Sequence, residues 1–224
     1  MTENRKMVAL ILGQSNFANH GDTKASCDSG TFALDGLKLV PAADPIPGAT
    51  GKMGSIWTRF GPICLQSGIW EQIILVNVAV GGSLIKSWAP SGENHDRLID
   101  AVRRCRELDL QITHVFFHQG ESDTAYDTCG DEYEADLQEV VNGLRGQEVE
   151  APITVCLVSY YRGQKSEQVR QAQRNVVEQN LDMVLGPDSD LIIDGYRYDN
   201  LHFNEFGLEK MAELLFETIK VKTA

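Results

Sequence analysis

Mostly apolar runs, each about the length of one strand, recur along the chain. They cover residues 7–12, 73–80, 112–117, 152–158 and 191–194. Short runs rich in Val, Ile and Leu are typical of strands that are buried on both faces of a sheet. The pattern therefore predicts five strands of a parallel sheet, the first of which ends at Gly13.

Between these runs, apolar residues recur at the spacing of one helix face, with polar residues between them. The predicted helices span 94–108, 131–144 and 166–180, and a last helix follows Asn204. Pro62 suits the first turn of a helix and predicts a shorter one over 62–67. Strands that alternate with helices indicate an α/β fold. We predict a three-layer α/β/α sandwich around a five-stranded parallel sheet, with a flavodoxin-like topology.

Residues 17–55 interrupt the alternation of strands and helices. The segment is rich in Gly, Pro, Asp and Ser and has little periodicity. Long irregular segments inside compact domains are usually functional or mobile. We therefore expect a loop insertion that walls one side of a site. Because no repeat or linker divides the rest of the chain, residues 1–224 are predicted to form a single domain.

Composition and charge narrow the range of partners and locations. The chain is 42% hydrophobic and 23% charged, with a net charge of −12 and a pI of about 4.8. Such a field repels polyanions, so nucleic acid and anionic membranes are not expected as partners. The apolar run near the N-terminus is too short for a membrane span and lacks a cleavage site. Five scattered cysteines without a C-x-x-C pair predict reduced thiols in a cytoplasmic protein.

Candidate chemistry follows the predicted strands. Ser15 comes after the first strand, Gly82 after the second, Gln119 after the third, and Asp199 and His202 after the fifth. The carboxyl ends of parallel strands meet at one edge of the sheet, where α/β proteins bind ligands. A nucleophile, a base with its orienting carboxylate, and oxyanion donors are what acyl transfer requires. The plainer interpretation is that these residues only cap helices, close turns or fill the core.

Four motifs carry a resemblance to a known family. They are Gly13-Gln14-Ser15-Asn16, Gly81-Gly82-Ser83, His118-Gln119-Gly120-Glu121-Ser122-Asp123 and Asp199-Asn200-Leu201-His202-Phe203. In this order they resemble the motifs of SGNH-type hydrolases. The likeness is closest to the sialate O-acetylesterase and acetylxylan-esterase branch of carbohydrate esterases, which has G-Q-S-N in place of G-D-S and Q-G-E in place of G-x-N-D. It extends from residue 7 to about 215.

The resemblance implies a role for each catalytic position. Ser15 is expected to be the nucleophile, and His202, oriented by Asp199, the general base and then acid. The oxyanion donors would be the Ser15 N–H, the Gly82 N–H and the Gln119 side-chain amide, with Gly81 as an alternative to Gly82. The implied substrate is a small-molecule or oligosaccharide acetyl ester, and no cofactor is implied.

Further residues are expected around the substrate. Gln14, Asn16, Trp88 and Glu121 are predicted to line its binding site, and Glu121 also to support the turn that carries Gln119. Aromatic residues in loops either stack on a sugar ring or belong to the core and rim; they are Trp57, Trp88, Tyr160, Tyr161 and Tyr198. Arg59 and Arg162 either meet a substrate carboxylate or pair with surface acids. A metal site of Glu121, Asp123 and a histidine is disfavoured, because hard cations need more oxygen ligands.

Two other functions remain compatible with the sequence. A short-chain lipase or thioesterase of the same fold is disfavoured, because no long apolar run is available to line an acyl-chain tunnel. A catalytically inactive carbohydrate-binding protein is possible because a fold does not guarantee a function. A nucleotide binder is disfavoured because the chain has neither G-x-G-x-x-G nor a P-loop. The sequence leaves the natural ester and the oligomeric state open.

Overall fold

A seven-stranded, mostly parallel sheet forms the centre of the computed structural model, which describes residues 5–27 and 29–220. The strands are β1 (Lys6–Gly13), β2 (Thr31–Asp35), β3 (Lys38–Pro41), β4 (Gln72–Asn77), β5 (His114–His118), β6 (Ile153–Leu157) and β7 (Met183–Asp188). Across the sheet they lie in the order β3-β2-β4-β1-β5-β6-β7. Only the β2–β3 pair is antiparallel. The strand that leads to Ser15 is therefore the central one.

Helices cover both faces of the sheet. They are α1 (Trp57–Gln66), α2 (His95–Glu107), α3 (Glu121–Ala125), α4 (Gly130–Gly146), α5 (Glu167–Gln179) and α6 (Glu205–Lys220). Apolar side chains of α2, α4 and α5 form one core with Val8, Leu10 and Leu12 of β1, whereas those of α1 and α6 form a second core with Met7, Ala9 and Ile11. Successive side chains of a strand point to opposite faces. The three-layer α/β/α architecture is thereby confirmed.

The number of strands differs from the predicted five. β2 and β3 lie inside the segment that was expected to be a loop, so that expectation is wrong for residues 31–41. β2 pairs in parallel with β4 and so extends the sheet. β3 is a short edge strand with mostly exposed side chains. A half-exposed hairpin of this kind lacks the long apolar run that identifies a central strand.

The predicted fifth strand is also misplaced. The last strand is β7, while residues 191–194 lie outside any strand: Leu191 ends a one-turn 3₁₀ helix at Ser189–Leu191, and the other three residues follow it. β7 is an edge strand in which Leu185 is exposed and Gly186 and Pro187 occupy the middle, so its sequence is not continuously apolar. Proline is tolerated at a sheet edge because one side of the strand needs no hydrogen bonds.

The helix predictions are confirmed for α2, α4, α5 and α6, with ends that differ by a few residues. Ser166 caps α5 by accepting a hydrogen bond from Val169 N at 3.3 Å. Asn204 precedes α6 and accepts one from Gly207 N at 3.0 Å. The prediction for α1 is wrong at its start, because the helix begins at Trp57 and contains Pro62 in its interior. Burial of Trp57, Phe60 and Cys64 outweighs the positional preference of one proline.

No helix in the described ranges is long and apolar enough to cross a membrane. No disulfide occurs among the described residues, and of the five thiols only that of Cys129 is exposed. Residues 1–4, on which part of the leader prediction depended, lie outside the described residues. The cytoplasmic location stays a prediction.

Candidate active site

The turn after β1 presents Ser15 at the carboxyl edge of the sheet. Gly13 has a φ of +125°, and a Cβ atom there would lie 2.0 Å from the His118 carbonyl oxygen, so only glycine fits between β1 and β5. Gln14 N donates to that same carbonyl at 2.9 Å. The Ser15 side chain lines a cavity, and its hydroxyl makes no hydrogen bond to any described residue. The hydroxyl is therefore available to a partner in the cavity.

The loop before α6 holds His202 against Asp199. Asp199 Oδ2 accepts a hydrogen bond from His202 Nδ1 at 2.7 Å, and Oδ1 accepts from His202 N at 2.7 Å and Leu201 N at 3.0 Å. Partial burial acts to raise the pKa of Asp199, but the hydrogen bonds and charge of His202, together with the Leu201 N–H, outweigh burial and lower that pKa. The charged carboxylate fixes the orientation of the imidazole. Nε2 of His202 is left for a second partner.

Ser15 and His202 line the same cavity, which has a volume of about 320 Å³ and also contacts Gln14, Gly82 and Tyr161. The structure thus brings together residues from the ends of β1 and β4 and from the loop before α6. A separate cavity of about 410 Å³ lies near Leu110 and Val149, before β5 and β6. It is at the opposite edge of the sheet and contains none of the predicted site residues.

The two candidate glycine donors differ in their backbone hydrogen bonds. Gly81 N donates to Thr50 Oγ1 at 2.7 Å, so it is already used. Gly82 N and Ser15 N have no acceptor among the described residues. Gly82 has a φ of +75° and open space where a Cβ would lie. The geometry therefore favours Gly82 over Gly81 as a donor to a bound oxyanion.

Gln119 lies behind the site. Its side chain is fully buried and does not line the cavity. Nε2 donates to Ser83 O at 2.9 Å, to Gln14 Oε1 at 3.3 Å and to Asp123 Oδ2. The amide hydrogens are directed to internal acceptors, so the structure does not bring Gln119 to the cavity, and its role as an oxyanion donor stays a prediction. Gln119 supports Gln14, which does line the cavity.

All four predicted substrate contacts are buried, and three of them do not line the cavity. Trp88 is fully buried and donates from Nε1 to Ser83 Oγ at 3.0 Å. Asn16 donates to Glu121 Oε1 at 2.9 Å and accepts from Phe203 N at 3.2 Å. The structure therefore does not bring Trp88, Asn16 or Glu121 to the cavity, and their contact with substrate stays a prediction. Asn16 joins the turn of Ser15 to the loop of His202.

Glu121 and His118 form a buried pair of titratable groups. Burial raises the pKa of Glu121 to about 7, although the hydrogen bond from Asn16 opposes this shift, and burial lowers the pKa of His118 to about 3. Nδ1 of His118 lies 3.7 Å from Glu121 Oε1, so the contact joins a neutral imidazole to a carboxyl group that is partly protonated near neutral pH. Within the described chain, no group of three or more His, Cys, Asp or Glu side chains could hold a metal ion.

His20 lines the cavity beside the candidate base, a placement that the sequence pattern does not predict. Its ring is nearly parallel to that of His202, with centroids 5.5 Å apart and an interplanar angle of 20°. Two glycines make room for the His20 ring: a Cβ at Gly81 would lie 2.7 Å from its Nε2, and one at Gly51 2.8 Å from its Cδ2. Burial lowers the pKa of His20, and the charge of the neighbouring His202 lowers it further. The imidazole of His20 is therefore kept neutral. In the sequence, only the position of His20 shortly after Ser15 indicates that it lies near the candidate nucleophile.

Of the aromatic and cationic residues predicted to contact substrate, some lie at the cavity and others lie away from it. Tyr161 lines the cavity, and the Tyr198 ring lies 6.0 Å from that of His202. Trp57 is a core residue whose Nε1 donates to Phe17 O at 2.7 Å. Arg59 pairs with the buried Asp44 at 3.0 Å rather than facing the cavity. Arg162 is exposed and lies 5.8 Å from the Tyr161 ring centroid.

Comparison with known proteins shows the family and the fold of the chain. The model of the family described as "carbohydrate esterase, sialic acid-specific acetylesterase" matches residues 5–220. A solved protein from Arabidopsis thaliana is 19% identical, with a TM-score of 0.79 over 99% of this chain and 100% of its own. A family 3 carbohydrate esterase from Clostridium thermocellum is 15% identical, with a TM-score of 0.64 over 97% of each chain.

A protein from Parabacteroides merdae described as a GDSL-like lipase is 14% identical, with a TM-score of 0.66 over 96% of each chain. At these identities the likeness shows the fold alone, which is that of SGNH hydrolases. No curated protein matches the sequence.

Proposed function

The chain belongs to the carbohydrate esterase family of sialic acid-specific acetylesterases, and on that premise we propose that it removes acetyl groups from O-acetylated carbohydrate through an acyl-enzyme on Ser15. One observation carries the proposal: the imidazole of His202 is hydrogen-bonded to Asp199 in the cavity that also holds the Ser15 hydroxyl. A serine and a carboxylate-oriented imidazole that line one cavity support this proposal, because ester hydrolysis uses these three groups together.

The proposed mechanism has two steps, each with one proton acceptor. His202 Nε2 takes the Ser15 proton while Oγ attacks the ester carbonyl, and the oxyanion is bound by the N–H groups of Ser15 and Gly82. As the tetrahedral intermediate collapses, His202 returns the proton to the departing sugar hydroxyl. Water, deprotonated by His202, then attacks the acetyl-enzyme, and acetic acid leaves as His202 passes the proton to Ser15; the acid then loses its own proton to solvent. Asp199 stays charged and stabilises the imidazolium in both steps.

The size of the site supports a short acyl group. The cavity of about 320 Å³ is at the lower end of the range for small-molecule sites.

A fluorophosphonate that labels Ser15 in the wild type would distinguish this enzyme from an inactive carbohydrate-binding protein, because only an activated serine reacts.

The first experiment is hydrolysis of p-nitrophenyl acetate and p-nitrophenyl octanoate by the wild type and by Ser15→Ala. We expect the wild type to prefer acetate, and the variant to lose about 10⁴-fold or more in turnover because nucleophile and base act as a unit. Ser67→Ala, which removes a hydroxyl at the end of α1, is the matched control and should retain wild-type turnover. Acetate hydrolysis that survives in Ser15→Ala, or a preference for octanoate, would refute the proposal.

A further inference from the structure

A second cavity adjoins the candidate active site. It has a volume of about 560 Å³ and lies between the loop after β4, including Lys86 and Pro90, and Asp136 of α4. Gly82 lines both this cavity and the one that holds Ser15. The residue whose N–H is assigned to the oxyanion therefore lies at the junction of the two cavities.

The position of Gly82 determines which part of an ester could enter the second cavity. With the ester carbonyl oxygen on Gly82 N–H, both branches of the ester begin next to the junction. An acetyl branch ends at its methyl carbon and cannot occupy the adjoining space. Only the alcohol extends far enough to enter the second cavity, an assignment that rests on the proposed function.

Asp136 is the most unusual group in the second cavity. It is half-buried, yet its carboxylate has no hydrogen-bond or ion-pair partner among the described residues. Burial raises its pKa, the charges of Asp123 and Glu132 add to that shift, and Lys86 opposes it. By contrast, the buried carboxylates of Asp44 and Asp190 are paired with arginines at 3.0 and 2.8 Å. A half-buried carboxylate without donors is a place where a ligand can supply them.

The lining of the cavity indicates the chemical class of that ligand. Lys86 is its cation and is likewise without a hydrogen bond or ion pair in the described chain, while Asp136 and Glu93 supply two carboxylates. This balance disfavours an anionic group and suits hydroxyls, which both donate and accept. Ala89 and Pro90 add an apolar surface of the kind that packs against the C–H face of a sugar.

We propose that the cavity between Lys86 and Asp136 is a subsite for a neutral, polyhydroxylated part of the substrate alcohol, such as the second sugar of an acetylated oligosaccharide. Hydroxyls of that sugar donate to the Asp136 carboxylate and accept from Lys86 Nζ. The protein then prefers acetylated oligosaccharides to acetylated monosaccharides. Asp136 and Lys86 determine this specificity without touching the reacting atoms.

The test compares p-nitrophenyl acetate, monoacetylated xylose and monoacetylated xylobiose as substrates of Asp136→Asn, Lys86→Gln and the wild type. Both variants should retain wild-type kcat/KM for the first two substrates. Each should lose about tenfold for xylobiose, chiefly through KM, as expected when a hydrogen bond to a charged group is lost. Asp131→Asn, on an exposed position of α4, is the matched control and should behave as the wild type.

Unchanged kcat/KM for xylobiose in both variants, or equal losses on all three substrates, would overturn the subsite. So would an Asp136→Asn variant that hydrolyses O-acetylated sialic acid faster than the wild type does, because the cavity would then accept a carboxylate. Calorimetry with unacetylated xylobiose, in a Ser15→Ala background, tests the subsite independently of catalysis. Binding that weakens about tenfold in Asp136→Asn supports it even if the proposed esterase reaction fails, and binding that is equal in both proteins overturns it.

Discussion

Asn16 is the side chain that couples the candidate nucleophile to the candidate base. Its amide donates to Glu121 and to the Leu201 carbonyl, and its oxygen accepts from Phe203 N. These bonds hold the turn after β1 against the loop before α6, and all of them are buried. Buried hydrogen bonds of this kind are costly to break, because the donor and the acceptor are then left unpaired and out of reach of water. The separation of Ser15 and His202 is therefore controlled by a residue that does not line the cavity.

His20 is expected to position His202 through contact between their rings. His20→Ala should lower kcat about tenfold with little change in KM, because removal of the packed ring lets the imidazole move from its reactive orientation. His20→Phe restores a flat ring and should recover most of kcat. The measurement is kcat and KM for p-nitrophenyl acetate between pH 5 and 9.

The pH dependence separates packing from charge at His20. Because its pKa is lowered, His20 is neutral at pH 7 and gains a proton only on the acid side, where its charge opposes formation of the neighbouring imidazolium. His20→Phe should therefore retain a larger fraction of its pH 7 activity at pH 5 than the wild type does. Equal kcat values for the alanine variant and the wild type would show that the stacking has no role.

At the level of single residues, the sequence indicated which side chains meet but not which way every polar group faces. Ser15, His202, Gln14 and Gly82 line one cavity, as expected for residues that follow parallel strands. Gln119, Asn16 and Glu121 turn away from it. Buried polar groups need partners, and in a one-dimensional pattern a partner within the protein cannot be distinguished from a substrate.

Among the elements, two helix caps offer a matched comparison. Ser166 caps α5 and does not line the candidate site, whereas Asn204 caps α6 two residues after His202 and also donates to Gly195 O at 2.8 Å. Each alanine substitution should lower the free energy of unfolding by about 1 kcal/mol, measured by urea denaturation. Only Asn204→Ala should also lower kcat, because it loosens the loop that carries the base. Equal kcat losses in the two variants would contradict this expectation.

Elements with strong local signals were predictable, and those whose formation depends on tertiary context were not. α2, α4, α5 and α6 combine an apolar face with a suitable length, and β1 and β4 are buried on both faces. β2, β3 and β7 are peripheral strands with mixed burial, and their pairing with a neighbour decides their conformation. Context of this kind routinely overrides strand propensity.

For the whole molecule, Glu121 links stability to pH. Its pKa in the folded protein is about 7 against an ordinary value of 4.5, so between these values the folded state holds a proton that the unfolded state has lost. Stability contributed by this group is present below pH 4.5 and is lost as the pH rises to about 7, by about 3 kcal/mol in total. His118, whose pKa is lowered, has the opposite effect between pH 3 and 6.5, so the wild-type profile alone cannot isolate Glu121.

Glu121→Gln isolates this contribution, because its amide oxygen can still accept from Asn16 while the ionisation is removed. Urea denaturation at pH 5 and pH 8 should show the variant gaining about 2 to 3 kcal/mol relative to the wild type at the higher pH. Glu132→Gln, on the exposed side of α4, should differ from the wild type by the same amount at both values. A constant difference for Glu121→Gln would refute the linkage.

The order of the strands has a consequence for synthesis and folding. β1 is made first but pairs with β4 and β5, and Asn16 reaches Phe203 across 187 residues of sequence. Contacts of such sequence separation make folding slow, since long loops must close before the contacts form. A chain that has not yet docked α6 has its candidate nucleophile in place but not its candidate base. The onset of esterase activity in a refolding or translating sample would therefore report when α6 docks, not when the core collapses.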